Sequence, residues 1–343
     1  MAITEVYVDP SIAGDSGAGT SGDPYGDLEY AIEQTTFDTT NGTRVNIKAG
    51  TDEVVAVELS AAMADTVTTI AWAPSATAPC VFQGYTTSAG DGGIGGISGG
   101  GSVSVYADAA FNFVHFIDLH CHNCGSSVVL LLNDDCSVIG CEIDNTTGMG
   151  IDLDNSNTVI NNHIHNVGDE GVRTGNDCYV AYNYLENGTN KMTTAILVAS
   201  TTNVVERNII SLDSTSDGIN GGNNAETISH NSIWSNGGTG QGIIINSNRR
   251  GIRIYNNIVE GFSGSGGIGF DLDASGVLLA YFAGNASYDN ATHYANLSTH
   301  ISVEVDNETL SASPFTDAAN GDFSPVDTGN VKEGSYPGIV GDG

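Results

Sequence analysis

A short pattern of apolar and polar positions recurs through the middle of the chain. It has the form apolar-x-x-Asn-x-apolar, and successive copies lie 21 to 28 residues apart. The complete copies are Val159-x-x-Asn162-x-Ile164, Val180-x-x-Asn183-x-Leu185, Val205-x-x-Asn208-x-Ile210, Ile228-x-x-Asn231-x-Ile233 and Ile254-x-x-Asn257-x-Val259. Phe116-x-x-Leu119-x-Cys121 and Val138-x-x-Cys141-x-Ile143 replace the Asn, and Asn285 marks a degenerate last copy. The pattern therefore predicts a repeated unit from about Phe116 to Asn285.

Each copy also carries a small residue followed by a short apolar strand, as in Gly171-Val172 and Gly242-Ile243. A period in the low twenties, built from β-branched strands and Asn/Gly turns, is typical of a solenoid whose repeat is one coil. Stacked coils place like residues on like at a strand spacing of about 4.8 Å, so the columns form ladders. Asn suits the bends because it tolerates the left-handed conformation and its amide can bond to the Asn of the next coil.

These Asn-ladder coils resemble right-handed parallel β-helix proteins, the fold of pectate-lyase-like enzymes and of many tailed-phage tailspikes. The resemblance covers about half of the chain. It implies an all-β fold class: a single-stranded right-handed parallel β-helix of ~21–28-residue coils with an N-terminal cap and an irregular C-terminal tail. The same coils serve lyases, hydrolases, adhesins and virion proteins, so the fold does not fix the function.

Three regions are predicted along the chain: a cap over residues 1–50, the β-helix over 51–288, and a cap or tail over 289–343. Within the first region, Asp27–Glu33 predicts a short helix that covers the exposed strand edges of the first coil. The polar tail, punctuated by Pro and Gly, is expected either to fold back along the coils or to act as a docking strap.

The acidic composition narrows the range of partners. The chain has 41 acidic and 9 basic residues, for a formal net charge of −32. This charge argues against binding to nucleic acid or to an anionic membrane surface, and it favours solubility, divalent cations or a salty environment. No apolar run approaches the ~20 residues of a membrane span. The six cysteines are expected to be buried thiols that pack as small apolar residues.

Histidines and carboxylates alternate at the outward positions that flank the inward residue after each Asn. One outward column reads His120, Glu142, His163, Tyr184, and its neighbour reads His122, Asp144, His165, Glu186. Stacked at strand spacing, these side chains are candidates for a divalent-metal site, for a general acid/base pair such as His163 with Tyr184, or for a glycan-binding strip. The alternative is a ladder of complementary pairs that only stabilises adjacent coils.

The second strand of each coil presents another outward strip. It reads Asp152, Arg173, Leu197, Asn220, Ile244, Asp271, with Asp154 and Asp273 alongside. The resemblance implies a substrate groove over this strand and the loop before it. The matching candidates for catalysis are Asp152, Asp154, Asp169, Glu170, Arg173 and Lys191. The catalytic motifs of polygalacturonases and a clear pectate-lyase Arg/Lys signature are absent from the sequence, and an Asp152–Arg173 ion pair is the alternative.

Two further features of this strip predict partners. Asp152-x-Asp154 and Asp271-x-Asp273 could each hold calcium in the turn that follows, or could be solvated acidic turns; no cofactor is otherwise required. Leu197 and Ile244 are apolar at outward positions, which indicates a cover. A packed tail would serve, and the preferred hypothesis is the interface of a homotrimer.

Two classes of function fit these observations. The first is a virion-exposed structural, capsid-decoration or spike-type protein of a tailed virus, which binds a virion partner or a host-surface glycan without chemistry. The Met1–Glu5 start without a secretory signal and the missing catalytic motifs favour it, and it implies location on a virion surface or outside the cell. The alternative is a polysaccharide lyase or glycoside hydrolase acting on a surface or acidic glycan. A bacterial surface adhesin is a weaker alternative.

Overall fold

The structure, a computed structural model, describes residues 2–64, 72–108, 111–213, 215–221, 224–246, 250–272, 278–296, 301 and 304–326. The chain divides into two compact units, Met1–Val167 (unit 1) and Gly168–Gly343 (unit 2).

The described residues of unit 1 form a parallel β-solenoid with two short helices. The helices are α1 (Leu28–Gln34) and α2 (Leu59–Ala64). The strands are β1 (Thr4–Val8), β2 (Thr43–Lys48), β3 (Glu53–Val54), β4 (Cys80–Tyr85), β5 (Gly95–Ser98), β6 (Tyr106–Asp108), β7 (Val114–Ile117), β8 (Leu119–Gly125), β9 (Leu130–Leu132), β10 (Ser137–Ile139), β11 (Glu142–Thr146), β12 (Ile151–Leu153), β13 (Thr158–Ile160) and β14 (His163–Val167). They form a first sheet (β1-β2-β4-β7-β10-β13), a second (β3-β5-β8-β11-β14) and a third (β6-β9-β12).

Unit 2 repeats the same three-sheet coil. Its strands are β15 (Glu170–Thr174), β16 (Tyr179–Ala181), β17 (Tyr184–Glu186), β18 (Thr194–Val198), β19 (Val204–Glu206), β20 (Ile209–Leu212), β21 (Asp217–Gly221), β22 (Thr227–Ser229), β23 (Ser232–Ser235), β24 (Gln241–Ile245), β25 (Arg250–Tyr255), β26 (Ile258–Glu260), β27 (Ile268–Leu272), β28 (Leu278–Ala283), β29 (Ala286–Tyr288), β30 (Thr292–Ala295), β31 (Glu304–Val305), β32 (Glu308–Thr309), β33 (Phe315–Asp317) and β34 (Asp322–Pro325). The first sheet is β16-β19-β22-β25-β28-β31, the second β17-β20-β23-β26-β29-β32, and the third β15-β18-β21-β24-β27-β30. The predicted all-β parallel solenoid is confirmed.

The apolar column of the repeat fills the interior of each unit. In unit 1, Val138 lies opposite both Phe116 and Val159, and all three side chains are fully buried. In unit 2, Val205 and Ile228 are likewise opposite each other and fully buried. Full burial of such a side chain contributes about 1.5–3 kcal/mol relative to exposure, so the stacked column supplies much of the driving force for folding.

The predicted Asn ladder is present in unit 2. Each side-chain amide donates to the side-chain oxygen of the next Asn at 2.9–3.0 Å, through Asn183, Asn208, Asn231, Asn257, Asn285 and Asn307. The same oxygens accept a backbone N–H of the preceding coil at 3.0–3.1 Å. The ladder extends one coil beyond Asn285, because Asn307 supplies a further step that the sequence pattern did not show.

The expectation that these Asn residues adopt the left-handed conformation is wrong. The residue immediately before the Asn has positive φ instead, as in Tyr182 (58°), Arg207 (56°) and His230 (58°). The chain turns at that residue, so the Asn itself can point inward and bond to both neighbouring coils. Gly284, which has φ of 62° before Asn285, takes this conformation without the steric cost of a Cβ.

The predicted helix of the first region is confirmed as α1. Asp27 caps it, because its Oδ1 accepts from the backbone N–H of Tyr30 at 2.7 Å, and Leu28 and Ile32 face the interior. Helix α2 was not predicted. Parallel pairing of coil strands begins with β1 and β2, inside the region assigned to the cap, and continues past residue 288 to β32.

Residues 310–326, the last that the structure describes, fold back on unit 2. Strands β33 and β34 form an antiparallel hairpin around a 3-10 helix at Ala318–Asn320. Tail and coil residues share a buried apolar cluster: Leu310, Phe315, Ala318 and Phe323 with Ile258 and Ala286, packed against Tyr184, Ile209, Trp234 and Tyr288. The tail therefore covers the outer face of the second sheet in this unit.

The cysteines are part of the buried interior, and the chain is also expected to lack a membrane span. All six cysteines are buried and free, as predicted, and burial raises the pKa of the Cys121 thiol well above its ordinary value. Among the residues with described positions, no helix is long and apolar enough to cross a membrane.

Candidate functional site

Histidines and carboxylates converge on the outer face of the second sheet in unit 1. Adjacent strands β8, β11 and β14 bring them into register: Glu142 lies between His120 and His163, and Asp144 lies between His122 and His165. These six residues are called the His–carboxylate cluster. The predicted outward columns of this unit are therefore adjacent in space.

The contacts within the cluster run diagonally between columns. His120 Nε2 lies 3.0 Å from Asp144 Oδ1, and His165 Nε2 lies 3.0 Å from Glu142 Oε1 and 3.8 Å from Asp144 Oδ2. The imidazole rings stack in pairs on each strand, His120 on His122 at 4.1 Å and His163 on His165 at 4.3 Å between ring centres. Every imidazole is thus held beside a second ring.

A further carboxylate, Asp52, joins the edge of the cluster. Its Oδ2 lies 3.1 Å from His122 Nε2. Sequence reasoning missed Asp52 because it precedes β3 in an irregular stretch about 70 residues before His122. The repeat contained no signal for it.

The electrostatics of the cluster follow from its pairing. The hydrogen bond with Asp144 raises the pKa of His120 against the opposing effect of burial. Burial acts to raise the pKa of Asp144, but the hydrogen bond and charge of His120 outweigh it and the net pKa is lowered. The pair therefore favours its ionised form.

Tyr184 and Glu186 continue the predicted columns in sequence but lie in unit 2. There the Tyr184 hydroxyl donates to Glu186 Oε2 at 2.7 Å, and its ring packs against Phe323 of the tail. Burial and the bond to Glu186 raise the pKa of Tyr184 well above its ordinary value, so the phenol stays protonated near neutral pH. Its use with His163 as an acid/base pair stays a prediction.

The predicted groove residues are distributed over both units. Asp152 and Asp154 belong to unit 1, on and just after β12. In unit 2, Lys191 Nζ pairs with Asp213 Oδ2 at 2.6 Å, whereas Asp169 Oδ1 accepts from Thr193 Oγ1 at 3.0 Å.

Glu170 and Arg173 both lie on β15. Burial and the charge of Asp169 raise the pKa of Glu170, and Arg173 lies opposite Leu197 in the strand register. The catalytic role of all these residues stays a prediction.

A cavity of about 600 Å³ opens on the outer face of the third sheet in unit 2. Its floor is a row across three strands, in which Asn220, Ile244 and Asp271 lie opposite one another. The remaining lining residues are Thr215, Asp217, Thr239, Gly240, Gln241, Asn246 and Asn296. We call this cavity the polar groove.

Side-chain amides organise the polar groove. Asn246 Nδ2 donates to Asn220 Oδ1 at 2.7 Å, and Asn296 Nδ2 donates to Asp271 Oδ1 at 2.8 Å. Asp217 Oδ1 accepts from the backbone N–H of Gln241 at 2.9 Å, but burial dominates and raises the pKa of Asp217. The groove thus holds two carboxylates in different surroundings.

The apolar residues of the predicted interface have separate environments. Ile244 is 9% exposed in the floor of the polar groove, whereas Leu197 is half-buried between Arg173 and Asn220 in the register. The tail hairpin β33–β34 packs on the second sheet, whereas Asn296, earlier in the tail, bonds to Asp271 of this strip. A trimer interface stays a prediction. So does calcium at Asp152, Asp154 and Asp271, and Asp273 lies outside the described residues.

Comparison with solved structures identifies proteins of similar architecture. The GH136 lacto-N-biosidase from Eubacterium ramulus superposes with a TM-score of 0.53 at 12% identity, over 89% of this chain and 67% of that one. The chain has the parallel β-helix fold. The expected resemblance to right-handed parallel β-helix proteins is thereby confirmed at the level of fold.

Two other solved structures are similar over most of this chain. Pectate lyase Pel9A gives a TM-score of 0.48 at 13% identity, over 92% of this chain and 84% of that one. A mannuronic acid specific polysaccharide family 6 lyase from human gut microbiota gives 0.46 at 13% identity, over 98% and 91%. No protein-family model matches this β-helix sequence. No curated protein matches it either. None of these findings shows a virion role.

Proposed function

We propose that this β-helix chain is a glycoside hydrolase that binds a neutral glycan in the polar groove of unit 2. The observation that carries the proposal is the groove itself: an open cavity of about 600 Å³ lined mainly by amides, hydroxyls and two carboxylates. Amide and hydroxyl groups both donate and accept, which matches the hydroxyls of a sugar. A mainly apolar ligand would leave these polar groups without partners.

The charge of the groove favours a neutral glycan over an acidic one. The lining residues include Asp217 and Asp271 but no Lys or Arg. An acidic sugar would meet two carboxylates without a compensating cation, in a chain whose formal net charge is −32. The proposal therefore departs from the acidic substrate expected from the sequence.

The two carboxylates of the lining are of the residue type that glycoside hydrolysis uses. Most glycosidases use one protonated acid to protonate the leaving oxygen and a second carboxylate as base or nucleophile. The raised pKa of Asp217 suits the acid. Asp271, oriented by the amide of Asn296, suits the second role. The similar fold of a lacto-N-biosidase supports this class of chemistry over a virion role without chemistry.

A screen of neutral oligosaccharides for new reducing ends tests the proposal. We expect cleavage of at least one substrate, and a loss of about 100-fold or more in kcat/KM for Asp217→Asn and for Asp271→Asn. Asp306→Asn is the matched control, because Asp306 is exposed outside the groove and has φ of 52°, which Asn tolerates. Cleavage that both groove variants retain at full rate contradicts the assignment.

Binding measured on the same panel separates the two parts of the proposal. If a neutral oligosaccharide shifts the NMR signals of the groove amides but is never cleaved, the hydrolase activity is ruled out and glycan binding remains. If folded protein neither cleaves nor binds any neutral glycan, the groove has another role.

A further inference from the structure

We infer that the His–carboxylate cluster of unit 1 binds a first-row divalent transition-metal ion, with zinc the best-matched, through Glu142, His163 and His165. The site is separate from the polar groove and does not depend on the proposed hydrolase activity. One ligand atom from each of the three residues lies within 4.8 Å of the other two.

Two of the three ligand atoms are already near the spacing that a metal ion requires, and the third lies within 4.8 Å of both. Zinc binds imidazole nitrogen and carboxylate oxygen at about 2.0–2.2 Å, so tetrahedral ligands lie about 3.4 Å apart. His165 Nε2 and Glu142 Oε1 are already 3.0 Å apart. His163 and His165 are alternate residues of β14, so both project from the same face of the sheet. Strand pairing fixes Glu142 directly beside His163.

The donor set selects the class of metal. Two imidazoles and one carboxylate are a ligand combination typical of zinc and other borderline ions, whereas calcium prefers oxygen donors alone. The neighbouring group of His120, Glu142 and Asp144 contains one imidazole and two carboxylates, and it shares Glu142 with the proposed site. A third group, Asp52, His120 and His122, also offers two imidazoles and one carboxylate, but Asp52 is exposed and lies outside the strands. We therefore assign the ion to the histidine-rich group whose ligands are all fixed on paired strands.

The surroundings supply a supporting carboxylate and an open side. Asp144 Oδ2 lies 3.8 Å from His165 Nε2, the proposed ligand nitrogen, so this carboxylate places further negative charge beside the ion. The Glu142 side chain keeps 42% of its accessible surface and that of His165 keeps 22%. Solvent or a small ligand can therefore complete the coordination from outside.

Competing cations are scarce in this unit. Arg44 and Lys48 are the only Lys and Arg residues in residues 1–167 of the sequence. Both are engaged elsewhere, Arg44 with Glu5 at 3.3 Å and Lys48 with Asp9 at 2.6 Å. The carboxylates of the cluster thus have histidines, and not fixed cations, as their neighbours. Such a surface attracts divalent cations.

Zinc titration of the full-length protein, stripped of metal with a chelator, tests the site. Zinc chloride is added in a non-coordinating buffer near neutral pH, and calorimetry measures the binding. We expect saturable binding of one ion per cluster. Loss of a second-shell partner weakens metal affinity by about 10–100-fold, so loss of a direct ligand in His163→Asn, His165→Asn or Glu142→Gln should weaken it on the order of 100-fold or more. Cobalt provides an independent reading, because nitrogen ligation gives it a visible absorption spectrum that zinc should displace.

The matched control is His230→Asn. His230 is a histidine of unit 2 with φ of 58°, a conformation that Asn adopts readily, and its Nε2 contacts the side chain of Asn256 at 3.1 Å. Circular dichroism and melting temperature establish that each variant is folded. Zinc affinity lost in the three cluster variants and kept in the control supports the site. The absence of saturable binding overturns the proposal. So do an equal zinc affinity and an unchanged cobalt spectrum in a folded His163→Asn/His165→Asn double variant.

Discussion

At the scale of single residues, each ladder Asn satisfies several buried groups at once. The Asn231 oxygen accepts both the backbone N–H and the side-chain amide of Asn208 at 3.0 Å, and its own amide donates to Val205 O and to Asn257 Oδ1 at 3.0 Å. A buried polar group without a partner costs about 1–3 kcal/mol. The ladder therefore depends on every member.

We expect Asn231→Ala to lower the free energy of unfolding by about 2–4 kcal/mol, because it leaves donors and acceptors of two neighbouring coils unsatisfied. Chemical denaturation of both proteins measures this change. The exposed Asn236→Ala variant of the same unit should stay within about 0.5 kcal/mol of the parent. Similar losses in the two variants would refute the special role of the ladder.

Glu260 introduces a dependence on pH beneath the tail. Burial raises its pKa from 4.5 to about 7, the charge of Asp289 adds to this, and the hydrogen bond from Ser313 Oγ at 2.8 Å opposes it. Because the folded state favours the protonated carboxyl, its stabilising contribution is complete below about pH 4.5 and is lost as the pH rises through about 7.

We expect Glu260→Gln to be more stable than the parent above pH 7 by about 1–3 kcal/mol, with the difference shrinking as the pH falls toward 5. Melting curves of both proteins, recorded from about pH 5 to above pH 7, measure this difference. Glu304→Gln, at an exposed glutamate, is the control. A difference that grows on acidification would reverse the assigned sign.

At the scale of elements, the hairpin β33–β34 is held by its apolar face. Phe323 is 8% exposed, and its ring lies 5.3 Å from that of Phe315 and 6.4 Å from that of Tyr184 between centres. The hairpin is too short to be stable alone, since an isolated two-stranded hairpin is at best marginal in water. Its order therefore depends on docking to the second sheet.

We expect Phe323→Ala to release the hairpin while the coils stay folded, because an aromatic-to-Ala change at a buried site costs about 3–5 kcal/mol. Hydrogen exchange should then accelerate in residues 310–326 and on the strands beneath them. Ala319→Ser, at an exposed position of the same hairpin, should leave exchange unchanged. Unaltered protection in the Phe323 variant would show that other contacts suffice.

At the scale of the whole molecule, net charge opposes compactness. A formal charge of −32 makes the folded chain repel itself, and salt screens this repulsion. Raising sodium chloride from about 20 mM to about 500 mM shortens the screening length several-fold, and we expect the melting temperature to rise by about 3–8 °C. Calorimetric scans at a series of salt concentrations check this. A melting temperature that falls with salt would show that attractive ion pairs dominate.

The sequence predicted the fold and the register because both depend on period. The apolar-x-x-Asn-x-apolar spacing places Glu142 between His120 and His163, and the structure has the same order. It also places Asn220, Ile244 and Asp271 in one row. These positions follow from alternation along a strand and from stacking between strands, which are local rules.

The sites depend on segments that do not repeat. Asp52 reaches His122 from an irregular stretch, and Asn246 and Asn296 follow the ends of their strands to complete the polar groove. The tail hairpin comes after the last copy of the pattern, so its place on the second sheet could not be predicted from the period. Where the chain leaves the repeat, side-chain position depends on tertiary packing that a sequence pattern does not encode.

The Asn ladder also sets the step by which unit 2 can change in length. A few residues gained or lost inside a strand would shift an Asn out of line and break bonds on both sides of it, whereas changes in the loops leave the ladder intact. Removal of one complete coil, for example from Asn208 to His230, would join Arg207 to Asn231 and bring Asn183 and Asn231 together as new neighbours. Length in such a molecule is counted in coils, and a gene that encodes it can grow by duplicating them.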